Sequence, residues 1–316
     1  MIRKPEAPEP PAESGRLSNF ISSVRTAVLI EGGPFNMCRT VCTVLRNEGI
    51  KGLSHRVGGA LSKNERNDYQ EWIRRYDTLT DADRERIRKK IKRMADRPLI
   101  SILMPTYNTR ADWLQQAIDS VRAQLYPNWE LCIADDASTD PAVKEVLEKG
   151  CVQDDRIKVT WRPQNGHISA ASNSALALCA GEWIALMDHD DLLAEHALFY
   201  VAETINKHPE AQLIYSDEDK VSENGYRFEP YFKCDFNIDL FRSHNMICHL
   251  GVYRRETVET IGGFREGFEG AQDYDLALRF VENMPEEQIV HIPQVLYHWR
   301  RHPGSTTRGL EEKPYS

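Results

Sequence analysis

The stretch that decides the fold is "LISILMPTYNTRADWLQQAIDSVRAQLYPNWELCIADDAS", residues 99–138. It predicts an apolar strand ending in "PTYN", an amphipathic helix, and a second strand ending in "ADDAS". The alternation continues with the helices "DPAVKEVLEKG" and "ISAASNSALALCAG" and the strands "RIKVTWRP" and "EWIALMDHDD". Strands alternating with helices at this interval predict an α/β fold with a doubly wound, mainly parallel sheet flanked by helices.

Polar residues follow three of these apolar strands. In an open α/β sheet, ligands bind beyond the carboxyl ends of the strands, where neighbouring parallel strands meet. We therefore expect three clusters to converge on one crevice: Thr106-Tyr107-Asn108, Asp135-Asp136 and Asp188-His189-Asp190.

The third cluster, "MDHDD" at residues 187–191, crowds three carboxylates into four positions. Two like charges about 4 Å apart repel by about 4 kcal/mol at an effective dielectric near 20. A divalent cation such as Mg²⁺ or Mn²⁺ would relieve the repulsion and would attract a nucleoside diphosphate. The alternative is a helix N-cap followed by acidic residues of the first turn, which explains Asp191, or Asp190 alone, but not all three.

Other phosphate-binding patterns are absent from the sequence. There is no GxxxxGK[ST], and no GxGxxG follows the first strand, which excludes a P-loop and a dinucleotide fingerprint. No apolar run approaches the roughly 20 residues that cross a bilayer, and the first residues lack the apolar core of a signal peptide. Seven cysteines without a CxxC fit a reducing compartment, so we expect a cytoplasmic protein.

Before residue 98 the pattern differs. Residues 1–17 are rich in Pro and Glu and are predicted to be a disordered tail. Residues 18–97 are predicted to be a helical extension, with helices at "SNFISSVRTAVLIEG", "NMCRTVCTVLRNEG" and "DYQEWIRRYDTL". Residues 98–316 would form the α/β domain.

Charge is distributed unevenly within a net charge of −8: residues 1–97 carry +7 and residues 98–316 carry −15. The segment "RERIRKKIKRMADR", residues 84–97, supplies eight of the basic residues. It fits a solvated helix, or a basic helix on an anionic membrane surface at the cytoplasmic face of the inner membrane. A nucleic-acid partner is not expected, because the sequence has no aromatic interleaving or recognition motif.

Residues 98 to about 308 resemble the family 2 glycosyltransferases, which have the GT-A fold. Six segments carry the resemblance, in the family's order: "MPTYN", "ADDAS", "QNGHISAASN", "MDHDD", "GGFREGFEGAQDYDLALR" and "YHWRRHPGST". The run "YSDEDK…PYFKCDFNIDLFRSHNMICHLGVYRR" is similar to bacterial enzymes that build O-antigen and other surface polysaccharides, rhamnosyltransferases among them.

The resemblance implies roles for individual residues. Asp135 would hydrogen-bond the base, Asp136 would support that loop, and Asp188 would contact the ribose or, through water, the metal. Asp190 and His298 would ligate Mn²⁺ or Mg²⁺, with His302 as a weaker candidate. The full nucleotide-sugar set is Pro105, Thr106, Tyr107, Asn108, Asp135, Asp136, Asn165, Gly166, Asp188 and Arg300, with Arg300 and Arg301 steadying the diphosphate on a mobile loop. Ser172 stands where the family usually has Arg.

Asp273 is the expected general base. The resemblance implies inversion, in which an acceptor hydroxyl attacks C1 while the nucleoside diphosphate leaves from the opposite face, and a carboxylate takes the hydroxyl's proton. Gln272 replaces the family's usual Glu, Asp275 is the second choice, and a simple N-cap role for Asp273 stays open. "SDED", residues 216–219, is predicted to be a loop.

The implied activity is metal-dependent transfer from a UDP- or dTDP-sugar to a glycan or lipid-linked glycan of the bacterial surface. Further glycosyltransferase domains or an oligomer are open as partners. A sugar nucleotidyltransferase is an alternative, although it would normally carry a Gly-rich basic loop where this chain has "PTYNTRADW". A two-carboxylate glycosidase and a docking module without activity are the others.

Overall fold

The computed structural model of the chain describes residues 28, 33–43, 45–46, 65–282 and 284–302. The predicted tail at 1–17 and most of the predicted helix at 18–32 lie outside the described residues. Helical backbone is present at residues 34–43 and 45–46, which overlap the second predicted helix of the extension, residues 36–49.

Nine strands and nine α-helices follow along the described chain from residue 65. The strands are β1 (Ile100–Thr106), β2 (Trp129–Asp135), β3 (Ile157–Trp161), β4 (Trp183–Leu186), β5 (Leu192–Leu193), β6 (Leu213–Ser222), β7 (Arg227–Tyr231), β8 (Gly251–Arg254) and β9 (Ile289–Arg301). The helices are Glu65–Tyr76, Asp81–Arg93, Ala111–Arg122, Pro141–Gln153, His167–Leu176, Ala197–Lys207, Ile238–Ser243, Arg255–Thr260 and Gln272–Val281. Every strand and helix predicted between residues 99 and 191 is present.

The strands form one sheet in the order β3-β2-β1-β4-β8-β6-β9-β5, with β7 paired to β6. The first four of these neighbours, β3-β2-β1-β4, are parallel, and β8 joins β4 in the antiparallel sense. Thr106 and Asp135 are register partners, so the ends of β1 and β2 lie side by side. The α/β fold class is confirmed, and the parallel strands end at a common edge as expected.

Both faces of the sheet are buried. Along β1, Ile102 and Met104 pack into one apolar cluster, while the intervening Leu103 packs into the other. Successive side chains of a strand point to opposite faces, so a continuous apolar run is what a sheet covered by helices on both sides requires.

Two compact units divide the chain. The larger contains Thr78–Lys220 and Pro230–Ser316, and the smaller contains Met1–Asp77 and Val221–Glu229. Within the smaller unit, Arg227 pairs with Asp77 at 2.5 Å, and its backbone carbonyl accepts a hydrogen bond from Gln70. The predicted domain boundary at residues 97 and 98 stays a prediction.

The basic helix Asp81–Arg93 belongs to the larger unit. Ile87 and Ile91 are buried in one of the two apolar clusters, and a capping box between Thr80 and Asp83 begins the helix. Arg84 pairs with Glu195 at 2.6 Å, and Lys90 with Glu203 at 3.0 Å. Part of the basic charge is therefore matched within the fold. Among the described helices, none has the length and apolarity to cross a membrane.

This packing predicts that the helix stabilises the larger unit. Ile91→Ala is expected to lower the free energy of unfolding by about 2–5 kcal/mol, because it leaves a cavity against the core. Lys92→Ala is the matched control, since Lys92 is exposed on the same helix. Urea denaturation followed by circular dichroism measures the difference. Equal stability of the two variants would show that the helix does not pack on the core.

The prediction for residues 216–219 was wrong. "SDED" lies inside the ten-residue strand β6, and Asp217, Glu218 and Asp219 are each no more than 6% exposed. Each has a cationic, imidazole or backbone donor: Lys233 pairs with Glu218 at 3.0 Å, and His298 with Asp219 at 2.6 Å. Four polar residues in a row, three of them acidic, suggested an exposed loop, because the sequence does not show which donors pair with them.

Candidate active site

The end of β1 carries Pro105, Thr106 and Tyr107. The carbonyl of Pro105 accepts a hydrogen bond from Nδ1 of His189 (3.1 Å), which joins the end of β1 to the loop after β4. Thr106 is buried, and its hydroxyl meets no hydrogen-bond partner in the described part of the chain. Tyr107 is 45% exposed. Two of the three predicted strand ends therefore meet here.

Asn108 joins β1 to the loop after β2. Its Oδ1 accepts hydrogen bonds from the backbone N–H groups of Thr139 (2.8 Å) and Asp140 (3.2 Å). Its φ of 43° lies in the left-handed region, which asparagine tolerates better than most residues. The structure thus gives this side chain a task within the protein, in shaping the crevice wall.

Asp135 and Asp136 are adjacent but differ in their contacts. Asp135 ends β2 and accepts one hydrogen bond, from the backbone N–H of Ser138 to Oδ2 (3.1 Å). Its Oδ1 is buried and has no partner among the described residues. A buried carboxylate oxygen without a donor is costly, and in native proteins such an atom calls for a functional explanation. Asp135 therefore offers an acceptor to a ligand.

Asp136 is occupied by the protein. Its carboxylate pairs with Arg162 at 2.6 Å and accepts the backbone N–H of Gly166 at 3.0 Å. Gly166 caps the helix His167–Leu176, and a Cβ there would lie 2.5 Å from a guanidinium nitrogen of Arg162. Asn165 reaches the backbone carbonyl of Asp136 at 3.4 Å. The four residues fix the loop after β3 beside the end of β2.

The acid cluster follows β4. Asp191 is completely buried, and its two oxygens accept hydrogen bonds from the Arg300 backbone N–H (2.6 Å) and the Tyr297 hydroxyl (2.7 Å). Nε2 of His302 donates to Asp190 Oδ2 at 2.8 Å. The Asp188 carboxylate has no hydrogen-bond donor in the residues that the structure describes. The cluster thus combines one anchored acid, one acid paired with an imidazole, and one unpaired acid.

Electrostatics separates Asp190 from Asp191. Burial favours the neutral form of Asp190, but the hydrogen bond from His302 and the nearby charges of His189 and His302 lower its pKa to about 2. Burial raises the pKa of Asp191 well above its ordinary value, and the charges of Asp190 and Asp188 add to that rise. The protein leaves a repulsion among the three acids that a cation would relieve.

His298, one of the predicted metal ligands, is paired with another carboxylate, and its role as a ligand stays a prediction. It lies within β9, where its Nδ1 donates to Asp219 Oδ1 of the neighbouring strand β6 (2.6 Å). His302 lies just beyond the end of β9 and makes the contact with Asp190 instead. His302, the weaker candidate from the sequence, therefore contacts one of the acids directly.

Arg300 was predicted to lie on a mobile loop. It lies in β9 rather than on a loop, and it is 1% exposed. Its guanidinium donates to the backbone carbonyl of Asp190 (2.5 Å) and to Gln116 (2.9 Å). These contacts tie the guanidinium to the acid loop, and the contact with a diphosphate stays a prediction.

Asp273 lies in the first turn of the helix Gln272–Val281, whose N-cap is Ala271, so the N-cap alternative is wrong. Asn245 donates to Asp273 Oδ2 at 2.9 Å. Burial raises the pKa of Asp273; the charge of His249 opposes this rise and the charge of Asp188 adds to it. A partly buried carboxylate with a raised pKa, oriented by an amide, fits a general base.

Its neighbours have structural contacts. Asp275 pairs with Arg265 and with Arg279, and although burial opposes it, these partners lower its pKa. Gln272 accepts the backbone N–H of Gly270 at 2.8 Å. Asp273 is thus the carboxylate of this segment that remains for chemistry.

Sequence reasoning missed two residues of this region. Asn245 orients Asp273, and a ring nitrogen of His249 lies within 4.8 Å of carboxylate oxygens of Asp188 and Asp191. Both belong to "NMICH", a run with no spacing typical of a ligand set. Their positions depend on the pairing of β8 with β4 in the sheet, because both residues lie in the segment just before β8.

The chain resembles known proteins in sequence. The model of glycosyl transferase family 2 matches residues 101–262. An uncharacterised protein, y4gI, of Sinorhizobium fredii is 48% identical over 78% of this chain and 27% of that protein. The O-antigen biosynthesis protein RfbC of Myxococcus xanthus is 39% identical over 66% of this chain and 16% of that protein. The chain therefore spans about a quarter or less of the length of these relatives.

The fold also resembles a solved structure. TarS of S. aureus, residues 1–349, in complex with UDP-GlcNAc, superposes with a TM-score of 0.54 at 22% identity, covering 65% of this chain and 59% of that one. At that identity the likeness concerns the fold alone, and it confirms the GT-A fold that the sequence predicted.

Proposed function

Because the chain belongs to glycosyl transferase family 2, we propose that it is a metal-dependent inverting enzyme that transfers a sugar from a UDP- or dTDP-sugar to a hydroxyl of a bacterial surface glycan. The observation that carries the proposal is the meeting of the acid cluster after β4 with Asp273. A ring nitrogen of His249 lies within 4.8 Å of carboxylate oxygens of Asp188 and Asp191. The backbone N–H of the preceding residue, Cys248, donates to Asn245, which in turn holds Asp273.

The donor's base would bind at the end of β2. The unpaired Oδ1 of Asp135 supports this placement, since uracil and thymine each present a ring N–H that a carboxylate oxygen can accept. Thr106, its register partner, offers a second unpaired polar atom. Asn108, Asp136, Asn165 and Gly166 would act by fixing these loops.

The donor set after β4 fits a divalent cation. Asp188 and Asp190 offer the hard carboxylate oxygens that Mg²⁺ and Mn²⁺ accept. His302, whose Nε2 donates to Asp190, holds one of them. When bound, the cation would supply Lewis-acid stabilisation of the charge that develops on the diphosphate. Asp191, held by two donors, would keep the loop in place. We therefore propose Asp188 and Asp190 as the protein ligands, with His302 positioning Asp190.

Asp273 would take the proton of the acceptor hydroxyl. Asn245 holds one carboxylate oxygen, which leaves the other for the acceptor. The hydroxyl would then attack C1 from the face opposite the diphosphate, which accounts for inversion. The raised pKa of Asp273 suits a general base, because proton transfer is most efficient when the pKa of the base lies near the operating pH.

The acceptor is proposed from the relatives' names. RfbC is named as an O-antigen biosynthesis protein, and a glycan or lipid-linked glycan would suit an enzyme at the cytoplasmic face of the inner membrane. The chain spans only part of such relatives, so further glycosyltransferase domains are proposed as partners.

Two alternatives receive less support. A sugar nucleotidyltransferase would place a Gly-rich basic loop after β1, where this chain has an asparagine that ties two loops together. A docking module without activity would have no need for a buried carboxylate oriented by Asn245.

The proposal is tested by following release of UDP or dTDP from a panel of UDP- and dTDP-sugars with a bacterial glycan acceptor. We expect release from at least one donor, its loss in EDTA, and its recovery with Mn²⁺. Turnover that continues unchanged in chelator would contradict the metal requirement, and failure to bind any nucleoside diphosphate would contradict the proposal as a whole.

A further inference from the structure

His249 is a buried imidazole that the reaction described above does not use. It is 9% exposed, and it lies in the turn before β8. One of its ring nitrogens lies within 4.8 Å of carboxylate oxygens of Asp188 and Asp191. The backbone N–H of Cys248, the residue before His249, donates to Asn245 at 3.2 Å, and Asn245 holds Asp273 at 2.9 Å. His249 therefore lies near both the acid cluster and the base.

The ring of His249 is held in one orientation. It stacks on Tyr297 with ring centroids 4.4 Å apart and an angle of 9° between the planes, and it meets Trp299 edge-on at 5.6 Å. Tyr297 is itself fixed by its hydrogen bond to Asp191. A ring clamped between two aromatic residues has little rotamer freedom left to lose when a ligand binds.

The backbone of His249 is fixed by a buried ion pair. The Lys233 ammonium, whose side chain has 0% exposure, pairs with Glu218 at 3.0 Å and donates to the carbonyls of Ile247 and His249. Glu218 accepts the backbone N–H of His249 at 3.1 Å. Ring and backbone are thus anchored independently.

One nitrogen of the ring lacks a hydrogen-bond partner in the described chain. Nδ1 of His249 is buried, and the described chain gives it no hydrogen-bond partner. An unsatisfied buried polar atom costs about 1–3 kcal/mol. A histidine kept only for packing would normally have partners for its ring nitrogens, as His298 has Asp219 at Nδ1 and His291 has Asp217 at Nε2. The position of His249 suits a partner that arrives with the substrate.

We propose that His249 hydrogen-bonds a hydroxyl of the sugar being transferred, and so helps to determine which sugar the enzyme accepts. This inference rests on the proposed function. In an inverting reaction the transferred ring lies between the leaving diphosphate, on the acid-cluster side, and the base. A side chain that lies near both the acid cluster and the base is therefore directed at the transferred sugar ring. Neutral imidazole supplies one donor and one acceptor, which match the two hydrogen-bonding abilities of a hydroxyl.

The test compares His249→Phe with His249→Asn. Phenylalanine keeps an aromatic ring against Tyr297 but cannot hydrogen-bond, whereas asparagine restores a polar atom near the position of Nδ1. Calorimetric titrations with Mn²⁺ measure Kd for UDP, UDP-glucose, dTDP and dTDP-glucose, and thermal melting monitors folding.

We expect the wild type to gain affinity from the sugar of at least one donor. In His249→Phe, the Kd for that donor should rise about tenfold, the effect of one hydrogen bond, while the Kd for the matching diphosphate changes less than about twofold. His249→Asn should recover part of the loss.

Three results would overturn the inference. If His249→Phe weakens the binding of the diphosphate and of Mn²⁺ as much as the binding of the donor, His249 is a metal ligand or a packing residue. If neither variant changes the donor's Kd, or if no sugar adds affinity in the wild type, His249 has no sugar contact to make. A wild type that binds none of the four nucleotides would instead refute the proposed function.

Discussion

Asp273→Asn is expected to slow sugar transfer by about 10²–10⁴-fold, the usual contribution of a positioned general base. Asparagine keeps the size of the side chain and can still meet Asn245, but it cannot take a proton from the acceptor. Donor binding should persist, because Asp273 is proposed to act on the acceptor. Single-turnover transfer, with calorimetric Kd values for the donor, measures both quantities.

Asp239→Asn is a matched control for the loss of one acid. Asp239 lies in the helix Ile238–Ser243, and its side chain is 90% exposed. Its replacement should leave transfer within about twofold of the wild type, because its exposed ion pair with Arg242, at 4.0 Å, contributes little and lies in no predicted site. Equal turnover in Asp273→Asn and the wild type would remove the assignment of the base and leave Asp275 to be examined next.

Asp190→Asn is expected to reduce transfer by about 10²–10³-fold, the scale for removing one preorganised electrostatic contact to developing charge. Unlike Asp273→Asn, it should also weaken binding of the nucleoside diphosphate, because the cation and the diphosphate bind together. Raising the Mn²⁺ concentration should restore part of the activity. Steady-state rates over a range of Mn²⁺ concentrations give the apparent affinity for the cation.

Two histidine variants sharpen this second prediction. His302→Ala should raise the Mn²⁺ concentration needed for activity, because His302 contacts Asp190 directly. His298→Ala should leave that concentration unchanged and should act on stability, because its partner is Asp219. The reverse pattern would favour His298, the ligand predicted from the sequence. Equal effects of the two variants would contradict the different roles given to His302 and His298.

The parallel half of the fold could be predicted from the sequence because its information is local. The strands Ile100–Thr106, Trp129–Asp135 and Trp183–Leu186 are short, mainly apolar runs, Ile157–Trp161 alternates apolar and polar residues, and each is followed by a helix or turn. The rule that parallel strands end at one edge then placed Asp135 and the acid loop without any knowledge of packing.

The rest of the site depends on strand order and register, which the sequence does not show. Tyr297, His298 and Arg300 lie in one strand, and its neighbours decide which of them reaches the acids. The buried acids of β6 were mistaken for a loop because their partners, Lys233, His291 and His298, are distant in sequence. His249 was missed for the same reason.

The account depends on a divalent cation held by the acids after β4. The most direct measurement is electron paramagnetic resonance titration of Mn²⁺ with UDP or dTDP, on the wild type and on Asp190→Asn. We predict one bound Mn²⁺ per wild-type chain, and a large loss of that binding in the variant. Equal Mn²⁺ binding by the two proteins, or nucleoside diphosphate binding by the wild type with no bound Mn²⁺, would contradict it.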